Sequence, residues 1–232
     1  MTTVNTRSAF DRELAGIRDN IVRMGSLVDQ AIGRASKAFD THDSSKAQQI
    51  IDDDKVINDL RYKIEADVNS VMALQQPMAH DLRMLLASFI VSNELERMGD
   101  YAEGIARTVL SYPKEVMGGI PSEISDMTEV VREMLRDAMD AFLHEDVAKA
   151  EATARMDDRM DSLYRQMFKS LVEQMGRGEI PAERGTYLMW AGHNLERMGD
   201  RVTNICERVM FTKTGALARE LNPKPDHKEP PV

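Results

Sequence analysis

From Phe10 onward the chain sets apolar residues three and four apart. Phe10, Leu14, Ile17, Ile21, Met24, Val28, Ala31, Ala35 and Ala38 form one stripe, while Asp11, Arg12, Arg18, Asp19 and Arg23 fall off it. That period predicts an amphipathic helix with a single apolar face. At roughly 1.5 Å per residue the helix spans about 45 Å, so neighbouring helices must lie along it. Pro77, Pro113, Pro121 and Pro181 each fall between long periodic stretches, and proline ends helices. Six helices are predicted, over roughly 7–40, 43–75, 78–111, 122–143, 146–176 and 182–212, with Gly176 and Gly178 closing the fifth. Short connections force antiparallel packing, and the fold class is all-α.

The pattern also repeats. Residues 95–100 read LERMGD, and so do residues 195–200. Ile105 aligns with Ile205 and Val109 with Val209; in the preceding helices Asp54, Ile57 and Leu60 align with Asp157, Met160 and Leu163. A period near 100 residues is too long for a solenoid unit. It predicts two tandem three-helix bundles related by internal duplication, at 7–112 and 121–212. Ser111 to Pro121, with Gly118 and Gly119, is the predicted boundary. The tail at 213–232, ending NPKPDHKEPPV, has the composition of a disordered segment.

Composition narrows the function. Among 232 residues only 13 are Gly and 8 Pro, as long helices require. The formal net charge is -9 and no dense basic stretch exists, which argues against nucleic acid as a partner, because neutralising phosphates takes clustered Lys and Arg. The single cysteine, Cys206, excludes an internal disulfide framework and a Cys-rich zinc site; it reads as a small buried residue. Met1 to Leu14 has no apolar core and includes Asp11 and Glu13, so no signal peptide is expected. The longest apolar stretch, Leu85 to Val91, is too short to cross a bilayer. The expected protein is soluble and cytoplasmic and meets membranes only through partners.

The chemistry lies on one stripe of the third helix. Leu82, Leu86 and Phe89 continue as Asn93, Glu96, Asp100 and Glu103, and the sixth helix repeats this as Met189, His193, Glu196, Asp200, Thr203 and Glu207. Glu96 with Asp100, and Glu196 with Asp200, are carboxylates one turn apart on a helix face, where like charges repel by a few tenths of a kcal/mol. A cation between them reverses that sign. Asp157 and Asp161 repeat the spacing on the fifth helix, and Asp54 with Asn58 stands at the matching place on the second. If these helices pack antiparallel, the oxygen-bearing side chains converge across a groove, a donor set suited to Mg, Mn, Fe or Zn. The same acids also suit a solvated face, and Arg97 and Arg197 stand beside Glu96 and Glu196 as ion-pair partners. Gly99 and Gly199 cost roughly 1 kcal/mol each within a helix, which close helix approach would offset. His193 reads either as a ligand or as a polar core residue. Its order before Glu196 is the reverse of the Glu-x-x-His motif of di-iron bundles, and the first half has Asn93 instead. The 17 Met residues fall at helical spacing and read as core filling. No phosphate-binding G-x-x-x-x-G-K run exists, no nucleophilic triad can be assembled, and no enzyme is predicted. A carboxylate-bundle metalloenzyme and a metal-free helical scaffold are the alternatives.

The two LERMGD copies, each about two-thirds along a three-helix unit, resemble the PhoU family of phosphate-uptake regulators. Met24-Gly25, the AHDLR run at Ala79 to Arg83 and DRVTNICE at Asp200 to Glu207 add to the likeness, which extends from Phe10 to about Phe211. The resemblance implies two similar three-helix bundles side by side. It implies a cytoplasmic regulator, often a homodimer, that represses the phosphate-starvation response when phosphate is plentiful. The implied partners are the ATPase of the phosphate ABC transporter and the phosphate-sensing histidine kinase. The family's E/D-x-x-x-D metal motifs map onto Glu96 with Asp100, Glu196 with Asp200, and Asp157 with Asp161. In the first half Asp54 is followed by the neutral Asn58, a departure that removes one negative charge there.

Overall fold

The computed structural model describes residues 3–112 and 118–216, with side chains from residue 9 onward. Within them the chain forms α1 (Thr3–Thr41), α2 (Ser44–Gln75), α3 (His80–Ser111), α4 (Ser122–His144), α5 (Val147–Arg155), α6 (Asp157–Gly176) and α7 (Ala182–Thr214). No strand occurs among the described residues.

The stripe predicted for α1 is buried at Phe10, Ile17, Ile21, Met24, Val28, Ala35 and Ala38. Leu14 and Ala31 are only partly covered, and Ile32 takes a fully buried place instead. Aliphatic side chains buried in this way contribute about 1.5–3 kcal/mol each. The turns that follow α1 and α4 are copies of one another. His42 and Glu145 both adopt positive φ, and Asp43 and Asp146 each cap the next helix by accepting from the backbone N–H three residues on, at Lys46 and Lys149, both at 3.0 Å. Such caps satisfy donors that a helix start leaves without partners.

The expected single fifth helix is two. At Met156 the chain tightens to a three-residue turn: the Met156 N–H bonds Thr153 O and the Arg159 N–H bonds Met156 O, both at 3.0 Å. This bend separates α5 from α6. At the other end α7 runs through Lys213 and Thr214, two residues expected in the tail, and stops at Gly215, which has φ 76° and bonds Phe211 O. The rest of the predicted tail, from residue 217, and residues 113–117 of the predicted boundary lie outside the described residues.

The equivalent helices α3 and α7 pack against each other along the middle of the molecule. Arg83 donates to Thr212 O, Glu94 meets Arg201 and Asn204, and the rings of Tyr112 and Tyr187 lie 4.5 Å apart. Rising numbers on one helix meet falling numbers on the other, so the pair is antiparallel. The helices α1 and α4 do the same: Arg18 donates to Leu143 O, Arg132 clasps Asp29 through two bonds of 3.0 Å, and Thr128 donates to Ser36. An approximate twofold axis therefore relates the two three-helix bundles. Helix α2 flanks α3, and α6 flanks α7. With α1, α2 and α7 packed on it, α3 keeps one side in contact with water, the stripe from Leu82 through Phe89 and Asn93 to Glu103.

Candidate functional site

The carboxylates gather where α2 meets α3 and where α6 meets α7, and glycine makes the meeting close. A Cβ added at Gly99 would stand 3.1 Å from Asp54 Oδ1, and one added at Gly199 would stand 2.7 Å from Asp157 Oδ1. The two repeated glycines thus leave the space into which the neighbouring helix sends its aspartate. The expected close approach of helices is there, and its effect is to admit a carboxylate.

In the first half, Asp54 joins Glu96 and Asp100. Asp54 is partly buried and accepts a 2.7 Å bond from Asn58 Nδ2. Its pKa is raised by burial and by the charges of Glu103 and Glu96, against the Asn58 bond and Arg107. Asp100 is pushed up to about 6 by burial and then by Glu96, Asp54 and Glu103, with Arg97 acting in the other direction. Glu103 also reaches this group, held by Arg107 at 2.6 Å. It lies outside the four-residue pairs that select candidates in the sequence, although the acidic stripe passes through it. That stripe is the signal that points to it.

In the second half, Asp157 and Asp161 of α6 join Glu196 and Asp200 of α7. Glu196 is pushed up to about 7, first by burial, then by Asp200, with Asp161 and Asp157 adding to the rise and Arg197 opposing it. Its Oε2 is buried and receives no hydrogen bond; His193 Nδ1 lies 3.5 Å away. Arginines balance the rest: Arg197 contacts Asp200 at 3.0 Å and Arg165 contacts Asp161 at 3.5 Å. Arg197 also bonds the Tyr101 side chain across the α3–α7 seam, so the two acidic groups stand side by side. His193 is half-exposed at 52% of its side chain, which corrects the reading of a polar core histidine. Cys206 is fully buried, as expected, and burial pushes its thiol up to about 12.

All seven sequence candidates therefore fall into two groups, Asp54 with Glu96 and Asp100, and Asp157 with Asp161, Glu196 and Asp200. Among the described residues no three His, Cys, Asp or Glu side chains stand in ligating geometry around one point. The groups are oxygen-rich, negatively charged and partly desolvated, and one buried carboxylate oxygen has no donor. Carboxylate oxygens are the donor type that hard or borderline cations take.

Comparison with known proteins adds an independent line. The family model described as the PhoU domain matches twice, over residues 21–109 and 124–209, one match to each half. A phosphate-specific transport system accessory protein PhoU homolog from Clostridium acetobutylicum is 33% identical over 211 residues, covering 90% of this chain and 96% of that one. A protein of the same description from Zymomonas mobilis is 36% identical, covering 91% of this chain and 89% of its own. The crystal structure of the phosphate transport system regulatory protein PhoU from Streptococcus pneumoniae superposes with a TM-score of 0.84 at 30% identity, covering 90% of this chain and 99% of that one.

Proposed function

The chain belongs to the PhoU family, and on that premise we propose that it regulates phosphate uptake by repressing the phosphate-starvation regulon when phosphate is plentiful. It acts as a cytoplasmic homodimer that engages the ATPase of the phosphate ABC transporter and a phosphate-sensing histidine kinase, and reaches the membrane through them. The observation that carries this reading is the coincidence of two PhoU-domain matches with two halves that each bring a carboxylate group to the water-facing side of the same helix pair. The relatives named above are accessory and regulatory proteins, which speaks against the metalloenzyme alternative. None of the described helices is long and apolar enough to cross a membrane.

The surface suits regulation through binding. Long, charged helix faces dock other helical segments. A regulator that holds one state of the transporter more tightly than another shifts that state's population, and through the complex the output of the kinase. On this reading Asp54, Glu96 and Asp100 would hold one metal group, and Asp157, Asp161, Glu196 and Asp200 the other. A bound divalent ion would supply positive charge where the chain has gathered negative charge. The two groups differ in their supply of charge: in the first Asn58 takes the place of a carboxylate on α2 and Glu103 adds one from α3, while in the second Glu196 Oε2 is buried without a hydrogen bond and has His193 Nδ1 at 3.5 Å. A metal-free docking face is the second reading, favoured by Arg97, Arg107, Arg165 and Arg197, which already balance part of the acid.

Deleting the gene should leave the starvation regulon switched on in high phosphate, and restoring the chain should silence it. Normal repression in the deletion strain removes the regulatory reading. Recovery of the transporter ATPase or the kinase with tagged protein from cells grown in high phosphate tests the partners. Metal analysis of protein purified without chelator separates the two readings of the acids. At least one tightly held ion per chain, lost on changing Glu196 and Asp200 to Ala with helix content intact, supports the metal site; its absence leaves the docking face.

A further inference from the structure

Duplication lets each half serve as the control for the other, and one groove differs between them. The matched caps at Asp43 and Asp146 align α1–α2 with α4–α5–α6, so that Ala31 corresponds to Met134 and Asp53 to Met156. In the second half Met134 is fully buried, and the chain bends at Met156, whose side chain packs on the core. That groove is filled from within. In the first half the smaller Ala31 stands in its place and is only partly covered, α2 continues unbroken, and Asp53 is exposed and paired with Arg34. A cleft of about 220 Å³ stays open between α1 and α2. Its floor is Leu27, Ala31, Ile50 and Ile57, and its rim carries Arg34, Asp53 and Asp54.

The rim has a charge preference. Arg34 and Asp53 neutralise each other at 2.7 Å. That leaves Asp54, which accepts from the neutral Asn58 and has Glu96 and Glu103 behind it, with Arg107 paired to Glu103. The floor is aliphatic and the unbalanced charge at its edge is negative. The size is also informative, since an apolar cavity of about 150 Å³ takes up benzene. We propose that this cleft binds a small organic cation, with an apolar ring or short chain on Leu27, Ala31, Ile50 and Ile57 and its ammonium or guanidinium group at Asp54. At the matching place in the second half stands the larger, fully buried Met134.

The site shares Asp54 with the metal reading, so its test is run on full-length protein in excess chelator, where the two succeed or fail separately. Benzylammonium is the probe, followed through the methyl resonances of Leu27, Ala31, Ile50 and Ile57. The expected result is a saturable shift confined to those methyl groups, a weaker response to neutral benzyl alcohol, and none to benzoate. Ala31→Met copies the second half into the first and should abolish the shift while the thermal melt stays cooperative. Should that variant not fold, Asp54→Asn provides the second test: it should make benzylammonium and benzyl alcohol equivalent. The proposal is overturned if those methyl groups do not respond, if benzoate binds as well as benzylammonium, if folded Ala31→Met binds as the parent does, or if Asp54→Asn keeps the preference for the cation.

Discussion

Gly199→Ala places a methyl group 2.7 Å from Asp157 Oδ1, where ordinary van der Waals contact begins near 3.4 Å. In an unobstructed helix the same change stabilises by about 1 kcal/mol, because alanine surrenders less backbone entropy. Gly16 gives that reference within this chain: it is exposed, lies inside α1, and an added Cβ meets nothing within 4 Å. At Gly199 the new methyl must displace Asp157, the first residue of α6, where a carboxylate favours the helix dipole by about 0.3–1 kcal/mol. Forcing an extra carbon into a close helix contact adds about 1–3 kcal/mol. The net expectation is a loss of about 1 kcal/mol for Gly199→Ala against a gain of about 1 kcal/mol for Gly16→Ala. Gly99→Ala, with 3.1 Å to Asp54, should fall between them. Urea denaturation in chelator at pH 7.5 measures all three, with the slope of each transition checked for constancy. Equal stabilisation by Gly16→Ala and Gly199→Ala would refute the view that the repeated glycines exist to admit the aspartates. In the same variants, any ion held by the second group should be lost from Gly199→Ala and kept by Gly16→Ala.

Three further outcomes follow from the same geometry. Glu196 holds its proton to about pH 7 when folded and to about 4.3 when unfolded, so the folded chain carries more protons between these values and its stability rises as pH falls through that window. With part of the side chain in water the gain is on the order of 1–2 kcal/mol; melts in chelator should show it between pH 8 and 5, and Glu196→Gln should flatten it, whereas an unchanged slope in the variant would assign the effect elsewhere. Arg201 and Glu94, 16% and 15% exposed, pair across the α3–α7 seam; Arg201→Met should cost about 1.5–3 kcal/mol, and adding Glu94→Gln should recover part of it, which a denaturant double-mutant cycle detects. Cys206, buried with its thiol at about 12, should resist a thiol-specific disulfide reagent in the native state and react fully in denaturant.

The duplication was legible because LERMGD serves two constraints at once. Leu95, Met98 and Gly99, like Leu195, Met198 and Gly199, are buried on the packed sides of their helices, and a helical period exposes such residues to inspection. Glu96, Asp100, Glu196 and Asp200 share the remaining side, so the i, i+4 spacing marked the side of each helix that its neighbours leave less covered. What spacing could not reveal was everything set by a partner helix. Glu103 joins the first group only because α2 brings Asp54 beside it. Arg197 reaches Tyr101 only because α3 and α7 cross in antiparallel. The bend at Met156 has no Pro or Gly to announce it, and the exposure of His193 is set by how its neighbours from α6, Tyr164 among them, lie against it.

The differences between the halves carry more information than their likeness. A repeat kept for packing alone would conserve volume at matched positions. Here Asn58 stands against Asp161, Glu103 against Thr203 and Ala31 against Met134. The first two substitutions shift negative charge between the groups while leaving the helix contacts intact: the first half loses a carboxylate on α2 and gains one on α3, where Arg107 holds it. The third opens a cleft on one side that its twin closes. The N-caps at Asp43 and Asp146 match, so the asymmetry resides in side chains facing grooves and in the one backbone break at Met156. Two copies of one scaffold thus present unequal surfaces on a shared water-facing side, which lets the molecule meet different ligands or partners at its two halves without a change of fold.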